Sequence, residues 1–235
     1  MKLALECSDE LLDMVQPFAD FDWILANRFL ESDVYAEYYR NSTNVKFVDN
    51  SVTELGKPVS LDDLEKVMKD VKGNYVVSPD WIGEYQQTVE AYKECLAKFG
   101  KERAVGVLQG SSPEEALKCL DVYDNHLVLV PYRVGGSVKE DPDWIKALRR
   151  ELVVAHIPDD RLIHLLGFNT LDELHWYTNR PNVCGIDTDV PIRAGLLVQD
   201  FDGFDRMQKT DGIKLNKETW AGVCRNIALL RKYMS

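Results

Sequence analysis

The residues of this chain best placed to do chemistry are carboxylates: Asp49, Asp80 and Asp187 stand at the ends of short β-like runs, Asp189 follows two residues on, and Glu6 or Cys7 ends the first run. Carboxylates gathered at one place serve as general acid, general base or nucleophile. Asn27, Gln109, Tyr132 with Arg133, and Asn169 end runs of the same kind and supply hydrogen-bonding groups. Other chemistries lack their residues. No run ends in Lys, which removes Schiff-base chemistry, and no His-x-His or His–carboxylate cluster has metal-ligand spacing. His126, His156, His164 and His175 fall at strand starts, in strand interiors or in helices. The five cysteines, Cys7, Cys95, Cys119, Cys184 and Cys224, contain no CxxC or CxC pair, so neither a disulfide framework nor a structural zinc is expected. Gly135-Gly136 reads as a loop rather than a phosphate cradle, and no metal or cofactor is expected.

Each polar strand end also has a plainer reading. Asp and Asn are ordinary helix N-caps, which fits Asp49 and Asp80 about as well as chemistry does. Gln109, before Gly110-Ser-Ser-Pro, would suit a turn. For Asp187 the capping alternative is weaker, because no helix pattern stands close behind Asp187-Thr-Asp-Val-Pro.

The elements that must position these residues alternate from end to end. Strands are expected at Lys2–Cys7, Asp22–Asn27, Val45–Asp49, Tyr75–Pro79, Ala104–Gln109, His126–Pro131, Leu162–Gly167 and Val183–Asp187. Helix starts are marked by Ser60-Leu-Asp-Asp-Leu-Glu, by Ser112-Pro-Glu-Glu with proline in the first turn, and by Thr170-Leu-Asp-Glu with Glu173 at the capping-box position. Gly73 and Gly100 read as helix stops, and apolar spacing predicts a last helix from about Lys217 to Tyr233. Eight β/α units in so short a chain predict a single-domain (β/α)8 barrel over residues 1–235, with an open doubly wound sheet as the alternative. In a barrel the strand ends meet at one mouth, which makes one site of the polar residues above.

Composition bounds the function. The chain has 28 Lys+Arg against 39 Asp+Glu, a net charge of -11, with 45% hydrophobic residues. That much apolar material supports a packed core, and no apolar run reaches the ~20 residues that cross a bilayer. The first ten residues turn acidic at once, so no export signal and a cytoplasmic location are expected. The acidic balance disfavours phosphate-backbone binding in general. It is uneven, though: residues 203–235 hold seven Lys or Arg against three acids, a local +4 that leaves -15 on the rest. This basic segment is expected to pack outside the barrel as a helix.

Six strand-end segments, in order, resemble those of the tRNA-guanine transglycosylases and their phage relatives, the 7-deazaguanine DNA transglycosylases. They are Ile24-Leu-Ala-Asn-Arg-Phe-Leu, Phe47-Val-Asp-Asn-Ser, Val77-Ser-Pro-Asp, Gly106-Val-Leu-Gln-Gly, Leu165-Leu-Gly-Phe-Asn-Thr-Leu-Asp-Glu-Leu and Gly185-Ile-Asp-Thr-Asp-Val-Pro-Ile-Arg. The resemblance implies a barrel enzyme that cuts the N-glycosidic bond of a guanosine and joins a 7-deazaguanine in its place. One aspartate would attack the anomeric carbon to give a covalent glycosyl-enzyme, and a second would shuttle protons on the departing and incoming bases.

By that likeness Asp187, four before Pro191 and six before Arg193, matches the nucleophile; Asp189, on the same face if the strand continues, stands in reserve. Asp49 matches the general acid/base. Asp80 and Gln109 match positions that bind the purine edge, with Asn27, Tyr132, Arg133, Leu166 and Gly167 completing the base pocket. Three departures qualify the likeness. Pro131-Tyr132-Arg133 replaces a glycine-rich strand end, no base-stacking aromatic follows Asp49, and the cysteine-rich zinc motif of the tRNA enzymes is missing. Without the zinc region and a long basic extension, DNA is the favoured polymer, contacted through Arg193, Lys214, Lys217 and Arg225. Flipping a base from a duplex costs a few kcal/mol, which calls for single-stranded DNA or a partner protein. If the chain is phage-encoded, its location is the host cytoplasm. A hydrolase acting on a deazaguanine nucleoside or nucleotide, and a catalytically silent base-binding barrel, are the alternatives.

Overall fold

The computed structural model describes residues 1–138, 140–177, 179–201, 204, 208–210 and 212–234. All eight expected strands are present: β1 (Lys2–Leu5), β2 (Asp22–Leu25), β3 (Lys46–Asp49), β4 (Tyr75–Val77), β5 (Ala104–Val107), β6 (Leu127–Pro131), β7 (Leu162–Leu166) and β8 (Val183–Thr188). The helices are α1 (Leu12–Val15), α2 (Ala26–Glu31), α3 (Asp33–Asn41), α4 (Val52–Leu55), α5 (Leu61–Val71), α6 (Tyr85–Phe99), α7 (Pro113–Leu117), α8 (Asp143–Val154), α9 (Leu171–Tyr177), α10 (Val190–Leu196) and α11 (Lys217–Met234). Every paired strand is parallel, in the order β1-β8-β7-β6-β5-β4-β3-β2. The sheet therefore curls into a single (β/α)8 barrel that is closed but for the seam between β1 and β2. Asp20 bridges that seam: its amide donates to the Leu3 carbonyl at 2.7 Å, and its Oδ2 accepts from the Leu3 amide at 2.7 Å. No helix among the described residues is long and apolar enough to cross a membrane.

Side-chain alternation along each strand makes two cores. Outward residues such as Leu3, Leu5, Ile24, Val48, Val76, Val128, Ile163 and Ile186 lie under the helices. Inward residues fill the barrel itself: Ala4, Trp23, Leu25, Phe47, Val77, Val105, Val107 and Leu129. Each fully buried aliphatic or aromatic side chain contributes about 1.5–3 kcal/mol. The inward rows also fix which residue reaches the mouth, since Ala4 faces in and so Glu6, not Cys7, follows it there.

Several helix signals hold. Ser60 accepts from the Asp63 amide at 3.1 Å, and Ser112, ahead of Pro113, accepts from the Glu115 amide at 3.2 Å. Gly100 ends α6 with φ +79°. Others differ. The left-handed residue after α5 is Lys72, φ +56°, while at Gly73 an added Cβ would lie 2.5 Å from the sulfur of the flexible Met68 side chain. Glu173 gives its carboxylate to Arg150. Where no helix was expected behind Asp187, α10 begins at Val190 with Pro191 in its first turn, and the Thr188 hydroxyl accepts from the Val190 amide at 3.1 Å.

The expected last helix is α11, which packs outside the barrel against α10 and α9. Its approach to α10 is backbone to backbone at Gly195 and Gly222, where an added Cβ would lie 2.3 Å from the Val223 nitrogen or 2.5 Å from the Gly195 oxygen respectively. Farther along, Arg231 donates to Asp20 Oδ2 and to the Phe18 carbonyl, each at 2.6 Å, so the last helix ties onto the seam. Parts of the basic segment 203–235 lie outside the described residues.

Gly222→Ala is expected to destabilise the fold by about 1–3 kcal/mol through overpacking. The neighbouring exposed substitution Ala221→Ser should cost about 0.5 kcal/mol. Urea-unfolding midpoints of the two variants check the difference.

Candidate active site

The last inward residues of the strands converge on a cleft of about 210 Å3 at the C-terminal mouth of the barrel. Glu6, Asp49, Glu54, Asp80, Asp187 and Asp189 line it with Gln109, Tyr132, Arg133, Leu166 and Gly167. Six carboxylates thus share one small space, and Arg133 is the one Lys or Arg among the described residues lining it.

Asp187, on β8, is 4% exposed. Its Oδ2 accepts from the Gly167 amide at 3.0 Å, and its Oδ1 lies 2.7 Å from Nε2 of His164, a buried residue in the middle of β7. Gly167 has φ +65°, a left-handed conformation that glycine adopts without strain and that lets the turn after β7 aim its amide at the carboxylate. His164 stacks on Trp23 with ring centres 4.8 Å apart and planes 7° from parallel.

Asp80 is gripped by two amides. Asn50 Nδ2 donates to its Oδ1 at 2.8 Å and Gln109 Nε2 to its Oδ2 at 2.7 Å. Asn50 also donates to the Ser78 carbonyl, and Gln109 Oε1 accepts from the Gly83 amide at 3.1 Å. Burial raises the Asp80 carboxyl to about 6 against the pull of both amides. Asp80 is therefore no helix cap. Asp49, at the end of β3, does accept from a local amide, that of Ser51 at 2.8 Å, in a turn where Ser51 itself has φ +60°. Burial, then the nearby charges of Glu54, Asp80 and Asp187, push the Asp49 carboxyl well above the usual range despite that hydrogen bond. Glu6 is raised in the same way, by burial first and then by Asp187, Asp189, Glu54 and Asp49.

Some expected residues are not brought here. Asn27 would continue the inward row of Trp23 and Leu25, but β2 stops at Leu25 and Asn27 falls in the first turn of α2. Its amide donates to Ser51 Oγ at 3.1 Å, its Oδ1 is buried without a partner, and it does not line the cleft. Asp189 is off the alternation as well, because β8 ends at Thr188 and Asp189 has helical φ and ψ at the start of α10. It reaches the rim and pairs with Arg193 at 3.3 Å. Tyr132 lines the cleft with its ring packed under Arg150, 4.9 Å from the guanidinium.

Arg193 and Lys214 line a second, larger cleft of about 890 Å3, together with Arg28 and Lys209; it meets the mouth at Glu6 and Asp189. Lys217 and Arg225 do not line either cleft: Lys217 is exposed at the start of α11, and Arg225 pairs with Asp200 at 3.2 Å. Residues not singled out from the sequence are Asn50, Glu54 and His164. Only His164 carried a signal, since alternation from Leu162 and Leu166 turns it inward.

The loops around the mouth are braced from behind by Arg150 of α8. Its Nε and Nη2 meet the two Glu173 oxygens at 2.7 and 2.6 Å, while Nη1 donates to the carbonyls of Leu166 and Gly167 at 2.9 and 3.0 Å. Both partner side chains are fully buried. Among the described residues, no group of three or more His, Cys, Asp or Glu is arranged to hold a metal ion. Compared with known proteins, the chain matches no protein-family model and no curated protein.

Asp80 is expected to titrate near 6 when its carboxyl carbon is followed by NMR. Because this folded value lies above that of an unfolded aspartate, about 3.9, the protonated group adds stability that is full below about 4 and lost as pH rises through about 6. Arg150→Leu should cost about 3–5 kcal/mol by leaving Glu173 buried and uncompensated, read as a lowered urea midpoint.

Proposed function

We propose that the chain is a glycosyl-transfer enzyme that exchanges guanine in nucleic acid, with DNA the favoured polymer, for a 7-deazaguanine base. The observation that carries this reading is a pair of carboxylates in one cleft with unlike surroundings: Asp187 accepts from the Gly167 amide and lies against the His164 imidazole, and Asp49 is pushed toward its protonated form. Two carboxyl groups in unlike environments take the two roles that displacement at an anomeric carbon requires.

In the first step Asp187 attacks C1′ of the sugar, the glycosidic bond breaks, and guanine leaves with a proton from the Asp49 carboxyl. In the second, Asp49 as carboxylate takes a proton from the incoming base, whose nitrogen displaces Asp187 from C1′. The configuration at the sugar is inverted twice and so retained. Glu6, raised in the same cleft, is a second proton reservoir beside Asp49. Asp80 and Gln109, already paired, offer the base a carboxyl and the remaining amide hydrogen. The larger cleft supports a polymeric substrate, since its cationic side chains Arg28, Arg193, Lys209 and Lys214 continue from the mouth.

A second reading has its own support. Arg133 makes no ion pair with any described residue although it shares a cleft with six carboxylates. A guanidinium so placed suits a single phosphate or carboxylate, as in a free nucleotide whose glycosidic bond is hydrolysed with water in place of the incoming base.

Incubation with a radiolabelled 7-deazaguanine base and single-stranded DNA, duplex DNA or tRNA is expected to label DNA. Asp187→Asn should abolish labelling with the fold intact by circular dichroism, and Asp49→Asn should slow it ~10²–10⁴-fold. Release of base from a free nucleotide with no polymer labelled would favour the hydrolase instead.

A further inference from the structure

His164 is the one imidazole of the barrel interior among the described residues, and it is packed on several sides. It is 2% exposed. One face lies on Trp23 at 4.8 Å, and Phe21 meets the ring at 5.7 Å with planes 77° apart. Toward β8 it faces Gly185, where even a methyl group would come 2.7 Å from Nδ1. The ring is thus clamped, and the atom it presents to the mouth is Nε2, 2.7 Å from Asp187 Oδ1. Read as a nucleophile, Asp187 is a carboxylate, which only accepts hydrogen bonds, and that reading makes Nε2 the donor that carries the proton. Nδ1 is left on the side of Gly185 and of a cavity of about 490 Å3 at the opposite, N-terminal end of the barrel, which His164 and Gly185 both line.

We propose that His164 is a positioning residue for Asp187, acting from inside the barrel. This rests on the reading of Asp187 as nucleophile. A carboxylate on a strand end can rotate about its Cβ–Cγ bond, and one hydrogen bond leaves that rotation loosely restrained. Two donors fixed to different elements, Nε2 of His164 within β7 and the amide of Gly167 beyond it, define the plane of the group. With one lone pair on each oxygen occupied, the remaining lone pairs are aimed rather than averaged. The hydrogen bond also lowers the cost of keeping a charge in a cleft that holds five further carboxyl groups. His164 touches neither base nor sugar, so its effect passes through the orientation of Asp187.

The test uses the full chain. His164→Phe keeps a ring on Trp23 and removes the donor; His164→Gln keeps a donor; Gly185→Ala changes no polar group and pushes on Nδ1. Losing a hydrogen bond to a charged group should lower kcat about ten- to a hundredfold in His164→Phe with KM little changed. His164→Gln should recover most of that loss and Gly185→Ala should share it. An unchanged kcat in His164→Phe, or a loss confined to KM, overturns the proposal. Nitrogen-15 NMR of the unmutated chain gives a readout that needs neither activity nor a folded variant: Nε2 should be protonated, and a bare Nε2 overturns the proposal as well. If the unmutated chain moves no base while Nε2 is protonated, the functional reading fails and the dyad itself stands.

Discussion

Crowding of like charge at the mouth is the constraint around which this barrel is arranged. Six carboxylates enter a space of about 210 Å3, and at close range each raises the cost of ionising the next. Two responses are visible. Glu6, Asp49 and Asp80 move toward their protonated forms, and Asp80 and Asp187 are in addition held by hydrogen-bonding partners: two side-chain amides for one, a backbone amide and an imidazole for the other. Like charges held this close together cost stability at the mouth, and strongly shifted carboxyls of this kind cluster at functional sites.

The remainder of the fold supplies the stiffness that such a mouth needs. Arg150 fastens the end of β7 to α9 and carries Tyr132 on its face, so one buried guanidinium sets two sides of the cleft. The barrel interior adds a column of rings, Tyr75 on Phe47, Phe47 on Trp23 and Trp23 on His164, that fills the space below Asp187. Outside, α10 occupies the position behind Asp187, and its glycine lets α11 lie close.

What could be read from the sequence was whatever depends on local pattern. The eight strands and the Ser60 and Ser112 caps follow from side-chain period and capping chemistry, and both emerge close to their expected positions. Strand ends were harder, because propensity does not say where the chain leaves the sheet. Extending β2 by two residues puts Asn27 at the mouth, yet a helix starts at Ala26 and takes it out of the cleft; Asp189 does line the cleft, but from the turn into the helix at Val190 rather than from a continued β8. The Asp80–Asn50–Gln109 group was half visible: its acid and one amide end strands, but Asn50 follows one, and only the three-dimensional turn shows it donating to Asp80. His164 reads in the sequence as a strand-interior residue. Interior of a strand and interior of a barrel are the same place when the residue faces inward, and the rows of Trp23, Phe47 and Leu129 show that it does.

The pairing of β1 with β8, reinforced by Arg231 reaching back 211 residues to Asp20, has a consequence for how the chain acquires its shape. Strands β2 to β7 each find a neighbour within the next unit, so on a ribosome they have partners almost as soon as they emerge. The first strand has none until nearly the whole polypeptide has been made. Contacts of such sequence separation form late, since the loop they close is costly in entropy. Until then β1 and the free edge of β2 stay open to other chains. Closing the cylinder and completing the carboxylate-lined mouth are therefore a single, final event, because Glu6 leaves β1 and Asp187 leaves β8.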